Sequence, residues 1–130
     1  MKIYYAHPIN SATLQSASIK TKVLQSIKEQ VPSIEIIDPS SYDLNDGVDD
    51  VEIVRRNQMD ISRSDYVIAD FTTPSSGVAM ETMYAKLVGV PVIAIVNFPA
   101  SAWVSEMCTG KFSDIDDLMM TIKRIEKENG

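Results

Sequence analysis

The residues whose types and spacing could do chemistry gather in one stretch: Thr72-Thr73-Pro74-Ser75-Ser76-Gly77, with Glu81 shortly after. Two hydroxyls and a glycine before a helix start offer outward N–H groups, the positive end of a helix dipole and room for close approach. That is a cradle for a phosphate or a sugar. The same residues also make an ordinary turn and cap, and the turn alone does not choose between the two. Glu81 lies five residues after Ser76, so it is not the reciprocal partner of a capping box, which needs a spacing of three. It sits beside the apolar stripe of its helix and can project into a cleft at the helix start. The dipole there favours a carboxylate, the form a nucleophile requires, although a Glu at that place can also be a plain dipole interaction.

These residues need a scaffold, and the hydrophobic pattern supplies one. Residues 2–7 read as a short buried strand stopped by Pro8. Asn10-Ser11-Ala12-Thr13 can cap a helix in which Ile19, Val23, Ile27 and Val31 recur every four residues until Pro32. Ile34–Ile37 is a second strand running into Asp38-Pro39, and residues 40–50 form a polar, acidic loop able to close over a ligand. Val51 to Arg63 reads as a helix with Ile53, Val54 and Ile61 inward, and Asp65 to Phe71 is the clearest strand. The helix after Gly77 carries Met80, Met83, Tyr84, Leu87 and Val88 at core-facing spacing. Val92–Val96 is a fourth strand; Trp103–Cys108 and Ile115–Lys127 read as helices, with a short fifth strand at Lys111-Phe112-Ser113 between them.

Strands apolar on both faces and alternating with helices predict one doubly wound, flavodoxin- or Rossmann-like α/β domain over residues 1–130. Its mostly parallel sheet has about five strands flanked by helices. In such folds ligands bind beyond the carboxyl ends of the strands, where strand order reverses. That rule points to His7-Pro8-Ile9-Asn10 and to the turn at 72–77.

Composition narrows the ligand. The net charge is −6 and the Lys and Arg residues are scattered, so no basic patch for a nucleic acid polymer is visible. A small molecule or a protein partner is expected. No apolar run is long enough for a membrane span, and the single Cys108 excludes an intrachain disulfide framework and suits a reducing, cytoplasmic compartment. The acidic run Asp43, Asn45, Asp46, Asp49, Asp50 is not an EF-hand: counted from Asp43, the required Gly and Glu positions hold Val48 and Val54. Cys108 lacks a CxxC partner, and there is neither a Walker A loop nor a GxGxxG. No metal or cofactor is expected. Trp103 and Phe98 can stack on a base or simply pack.

Ser64 to Ala85, running Ser-Asp-Tyr-Val-Ile-Ala-Asp-Phe-Thr-Thr-Pro-Ser-Ser-Gly-Val-Ala-Met-Glu-Thr-Met-Tyr-Ala, resembles the signature of the nucleoside 2-deoxyribosyltransferase superfamily. Within it the chain is most similar to the 2′-deoxynucleoside 5′-monophosphate N-hydrolases, with a looser likeness from Ile3 to about Gly110. The resemblance implies that Glu81 attacks the anomeric carbon, releasing the base and leaving a glycosyl-enzyme ester. Water hydrolyses that ester in the hydrolases; a second base takes the sugar in the transferases. It further implies that Ser75 contacts a 5′-phosphate, that Ser105 reaches the phosphate from the neighbouring subunit of a homodimer, and that Tyr4 is an active-site tyrosine. Two positions depart from the family pattern. Asn57 stands where the family commonly has an Asp, with Asp60 about one helical turn further on; an Asn can bond a sugar hydroxyl but has no carboxyl proton to give. The loop after the first strand offers His7, Pro8 and Asn10 in place of Gly, Ser and Arg, which removes a charge-assisted phosphate contact unless a protonated His7 replaces part of it. A non-catalytic nucleotide sensor is the reading that Asn57 keeps open.

Overall fold

The computed structural model describes residues 1–40, 47–97 and 99–129; the expectations for Phe98 and for most of the acidic loop lie outside them. The described elements run β1 (Lys2–Ala6), α1 (Leu14–Gln30), β2 (Glu35–Ile37), α2 (Asp50–Ser62), β3 (Tyr66–Asp70), α3 (Ser76–Leu87), β4 (Val92–Ile95), α4 (Ala102–Met107), β5 (Gly110–Phe112) and α5 (Ile115–Asn129). All sheet pairings are parallel, in the order β2-β1-β3-β4-β5. This is the doubly wound α/β fold that the alternation of elements predicts, and its order reverses between β1 and β3.

The side-chain period of two divides each strand between two cores. Ile3, Tyr5, Ile68 and Ile93 face Val23 and Ile27 of α1 and Leu118 and Ile122 of α5. Tyr4, Val67, Ala69 and Val92 face Ile61 of α2 and Val78 and Ala85 of α3. Burying each of these Val and Ile side chains contributes roughly 1.5–3 kcal/mol before the cost of ordering the chain is counted.

Helix termini follow local chemistry. Thr13 caps α1 in a reciprocal box with Ser16: the Thr13 hydroxyl accepts from the Ser16 N–H, and the Ser16 hydroxyl accepts from the Thr13 N–H. Asp49 caps α2 and Ser75 caps α3. At the far end of α3, Gly89 takes φ +81°, while Val90 N–H reaches Ala85 C=O and Gly89 N–H reaches Lys86 C=O. That pairing closes the helix with a left-handed residue and returns the chain to β4.

Two inward assignments need correction. Met80, Leu87 and Val88 are exposed, and α3 buries Val78, Thr82 and Ala85 instead. The small or branched row packs on the flat sheet, whereas the longer Met-Tyr-Leu row faces sideways across a cleft. On α2 only Ile61 is buried; Val54 is exposed and Ile53 half-buried for the same reason. The fifth strand also starts one residue earlier than its apolar residues suggest, at Gly110. Among the described residues, no helix is long and apolar enough to cross a membrane.

Candidate active site

A cleft of about 790 Å³ opens at the carboxyl edge of the sheet and continues between α2 and α3. Its head is the loop after β1, with His7, Ile9, Asn10 and Ser11, facing the turn before α3 with Pro74 through Gly77. One side wall is α2, through Ile53, Val54, Asn57, Gln58 and Ile61; the other is α3, through Met80, Glu81, Met83, Tyr84 and Leu87. The Tyr84 and Ser62 hydroxyls lie 3.1 Å apart and tie the two walls together at the lower end.

Glu81 is half-buried in the α3 wall, and the Tyr4 hydroxyl donates to its Oε2. Tyr4 is fully buried in β1 between the two helices, so its ring is fixed by packing and the phenol holds one carboxylate oxygen from the floor. Glu81 itself lines the cleft. These two residues are 77 apart in sequence, and only the β1–β3 pairing and the packing of α3 on the sheet bring them together.

At the head of the cleft, Ser75 Oγ accepts from Val78 N–H at 3.3 Å. Ser76 and Gly77 are exposed at the first turn of α3. A Cβ at Gly77 would meet only Ser75 Oγ, at 3.8 Å, an ordinary contact. The fold itself therefore does not demand a glycine there, and its effect is to leave the backbone N–H groups open to the cleft. Ser11 Oγ donates to Pro74 C=O at 3.0 Å and fastens the β1 loop to the α3 turn.

His7 lines the cleft, but both of its ring nitrogens are engaged by the protein: Nε2 lies 2.8 Å from Asp38 Oδ1 and Nδ1 lies 3.2 Å from Pro8 C=O. Asp38, at the end of β2, also takes the Lys20 ammonium at 2.6 Å and the N–H and hydroxyl of Ser40. Burial works to raise the Asp38 pKa, but the bonds from His7, Lys20 and Ser40 overcome it and hold the carboxyl well below the usual range. Burial, with smaller pushes from the charges of Asp70 and Asp38, drives the neighbouring Tyr5 phenol far up. Sequence reading passed over Asp38; its one signal was an acidic residue ending an apolar strand beside the switch point.

Asn57 lies in the cleft wall, whereas Asp60 is not among the lining residues. Ser105 lies on α4, away from the cleft of its own chain, and its hydroxyl accepts from the Lys111 ammonium at 2.9 Å. Among the described residues, no Lys or Arg lines the cleft. Nor does any group of three or more His, Cys, Asp or Glu suited to a metal occur among the described residues. Burial pushes the Cys108 thiol up to about 11, against a smaller opposing pull from Lys111, so the thiol is not an activated nucleophile.

Fold and cleft first define a class, the doubly wound α/β proteins of strand order 2-1-3-4-5, here with a carboxylate held by a buried tyrosine beside a helix N-terminus. The particular likeness is to the nucleoside 2-deoxyribosyltransferase superfamily and, within it, to the 2′-deoxynucleoside 5′-monophosphate N-hydrolases. No family model matches the chain. A curated relative from Thermofilum pendens is 29% identical over 128 residues, covering 90% of this chain and 89% of its own; its name provisionally assigns it 2′-deoxynucleoside 5′-phosphate N-hydrolase activity. The structure of a 2-deoxyribosyltransferase from Bacillus psychrosaccharolyticus superposes with a TM-score of 0.76 at 17% identity, covering 91% of this chain and 90% of that one. A CMP N-glycosidase from Clostridium botulinum superposes with a TM-score of 0.63 at 11% identity, covering 95% and 98%. Relatives and neighbours with these names are enzymes acting on glycosidic bonds.

Proposed function

We propose that this chain is an N-glycosidase of (deoxy)nucleoside 5′-monophosphates, with Glu81 as the nucleophile. The observation that carries the reading is the Tyr4–Glu81 hydrogen bond on the floor of a cleft headed by the N-terminus of α3. Glu81 attacks C1′ of the sugar from the face opposite the base. The C1′–N bond breaks, its electron pair leaves with the base, and the base takes a proton from water, since the Asn57 amide has none of carboxyl acidity to give. Water then adds to C1′, the ester bond to Glu81 breaks, and the water's proton passes to solvent as the carboxylate is regenerated. Tyr4 orients the carboxylate throughout, and Asn57 offers an amide to a sugar hydroxyl.

The phosphate is assigned to the head of the cleft, against Ser75, Ser76 and Gly77 at the α3 N-terminus and beside Ile9 and Asn10. In a homodimer, Ser105 of a second copy would complete this end and bring the Lys111 ammonium with it. The absence of Lys and Arg from the chain's own cleft lining favours a second reading, a deoxyribosyltransferase acting on unphosphorylated nucleosides. Base exchange that outruns sugar release in the presence of an acceptor base would mark that reaction.

Acid quench during turnover, followed by peptide mass analysis, tests the proposal. A pentose 5-phosphate ester on the peptide carrying Glu81 is the expected result. Base release with the pentose on a different residue contradicts it.

A further inference from the structure

The α2 wall carries a residue that fits the leaving base. In a displacement at C1′ the leaving group lies on the side away from the nucleophile, so a base displaced by Glu81 on α3 lies against the facing wall, α2. That wall is mainly apolar, with Ile53, Val54 and Ile61 suited to the faces of a flat ring. Its two polar side chains are Asn57 and Gln58. Asn57 is half-buried and has an interaction within the protein. No hydrogen bond from the Gln58 side chain occurs among the described residues, and beyond the helix's own bonds its backbone C=O accepts from the Ser62 hydroxyl at 2.8 Å. An exposed glutamine on a helix is usually just a solvated residue; here it stands on the one wall that the reaction geometry assigns to the base.

We infer that Gln58 is a base-binding residue that hydrogen-bonds the edge of the leaving base. The inference rests on the glycosidase reading of the same cleft. An amide presents one donor beside one acceptor and can turn over, so it pairs with any base edge that sets a donor next to an acceptor, as adenine, cytosine, thymine and, through N1–H and O6, guanine all do. A carboxylate at the same place accepts only and suits the adjacent N1–H and N2–H donors of guanine.

The test is calorimetric binding of the 5′-monophosphates of deoxyadenosine, deoxycytidine, thymidine and deoxyguanosine to the full chain carrying Glu81→Gln, which blocks turnover. Gln58→Leu, a change that helix propensity tolerates, is expected to weaken all four nucleotides about tenfold. Gln58→Glu is expected to raise the guanine nucleotide about tenfold relative to the others. Unchanged affinities in Gln58→Leu or an unchanged ranking in Gln58→Glu overturns the inference, as does failure of all four nucleotides to bind. Base release by the unaltered chain is a separate measurement, so the Gln58 assignment can fail while the glycosidase stands, and the reverse.

Discussion

Tyr4 and Glu81 each attract attention in the sequence through the family likeness, but their partnership is a property of the fold. A phenol fixed in a fully buried strand donates to a carboxylate on a helix, and on the proposed reading that bond orients Glu81 for attack. Tyr4→Phe keeps the packed ring and removes the donor. The expected result is a fall in kcat of about ten- to a hundredfold with little change in KM, because orientation of a reacting group acts on the chemical step. Steady-state kinetics beside a thermal melt would separate this from unfolding; an unchanged kcat in the folded variant would remove Tyr4 from the mechanism. His7 shows the opposite relation. From the sequence it is a candidate phosphate ligand, yet its ring nitrogens face Asp38 and the Pro8 carbonyl. Residue type alone could not reveal that, because Asp38 approaches from 31 positions away across the β1–β2 pairing.

The elements were legible wherever hydrophobic period and burial agree, as in β1, β3, β4 and α1. The α3 stripe misled because a period of 3.6 identifies a helix and its apolar face without saying what that face meets. Val78, Thr82 and Ala85 are smaller and include a polar residue, yet they are the row against the sheet, and the stripe of longer side chains became a cleft wall. The clamp joining β2, α1 and the β1 loop at Asp38 makes a prediction at this scale. A carboxylate held low in the folded state contributes stability above its ordinary pKa near 4 and loses it as the pH falls through the folded value. Denaturant midpoints of the wild type and Asp38→Asn should therefore differ most at neutral pH and converge as the solution is acidified below about pH 4. A difference independent of pH over that range would show that the Asp38 charge contributes nothing.

The whole molecule follows from alternation: parallel strands with two covered faces, and a switch point between β1 and β3 that sets His7 beside the Ser75 turn. Met80, Leu87 and Val54 are exposed apolar residues around the mouth of the cleft, and Ser105 lies outside it with Lys111. If a second copy completes the site, sedimentation should give a dimer at micromolar concentration, and Ser105→Ala should raise KM for a monophosphate several-fold while leaving KM for the nucleoside unchanged. A monomer with full activity would contradict that arrangement.

Glycosidic cleavage by Glu81 is tested most directly by chromatography of free base after incubating the wild type and Glu81→Ala with a panel of nucleosides and their 5′-monophosphates. The account predicts base released from the monophosphates by the wild type and none above background from the folded variant. Undiminished release by Glu81→Ala, or tight nucleotide binding by the wild type with no release from any member of the panel, would contradict it.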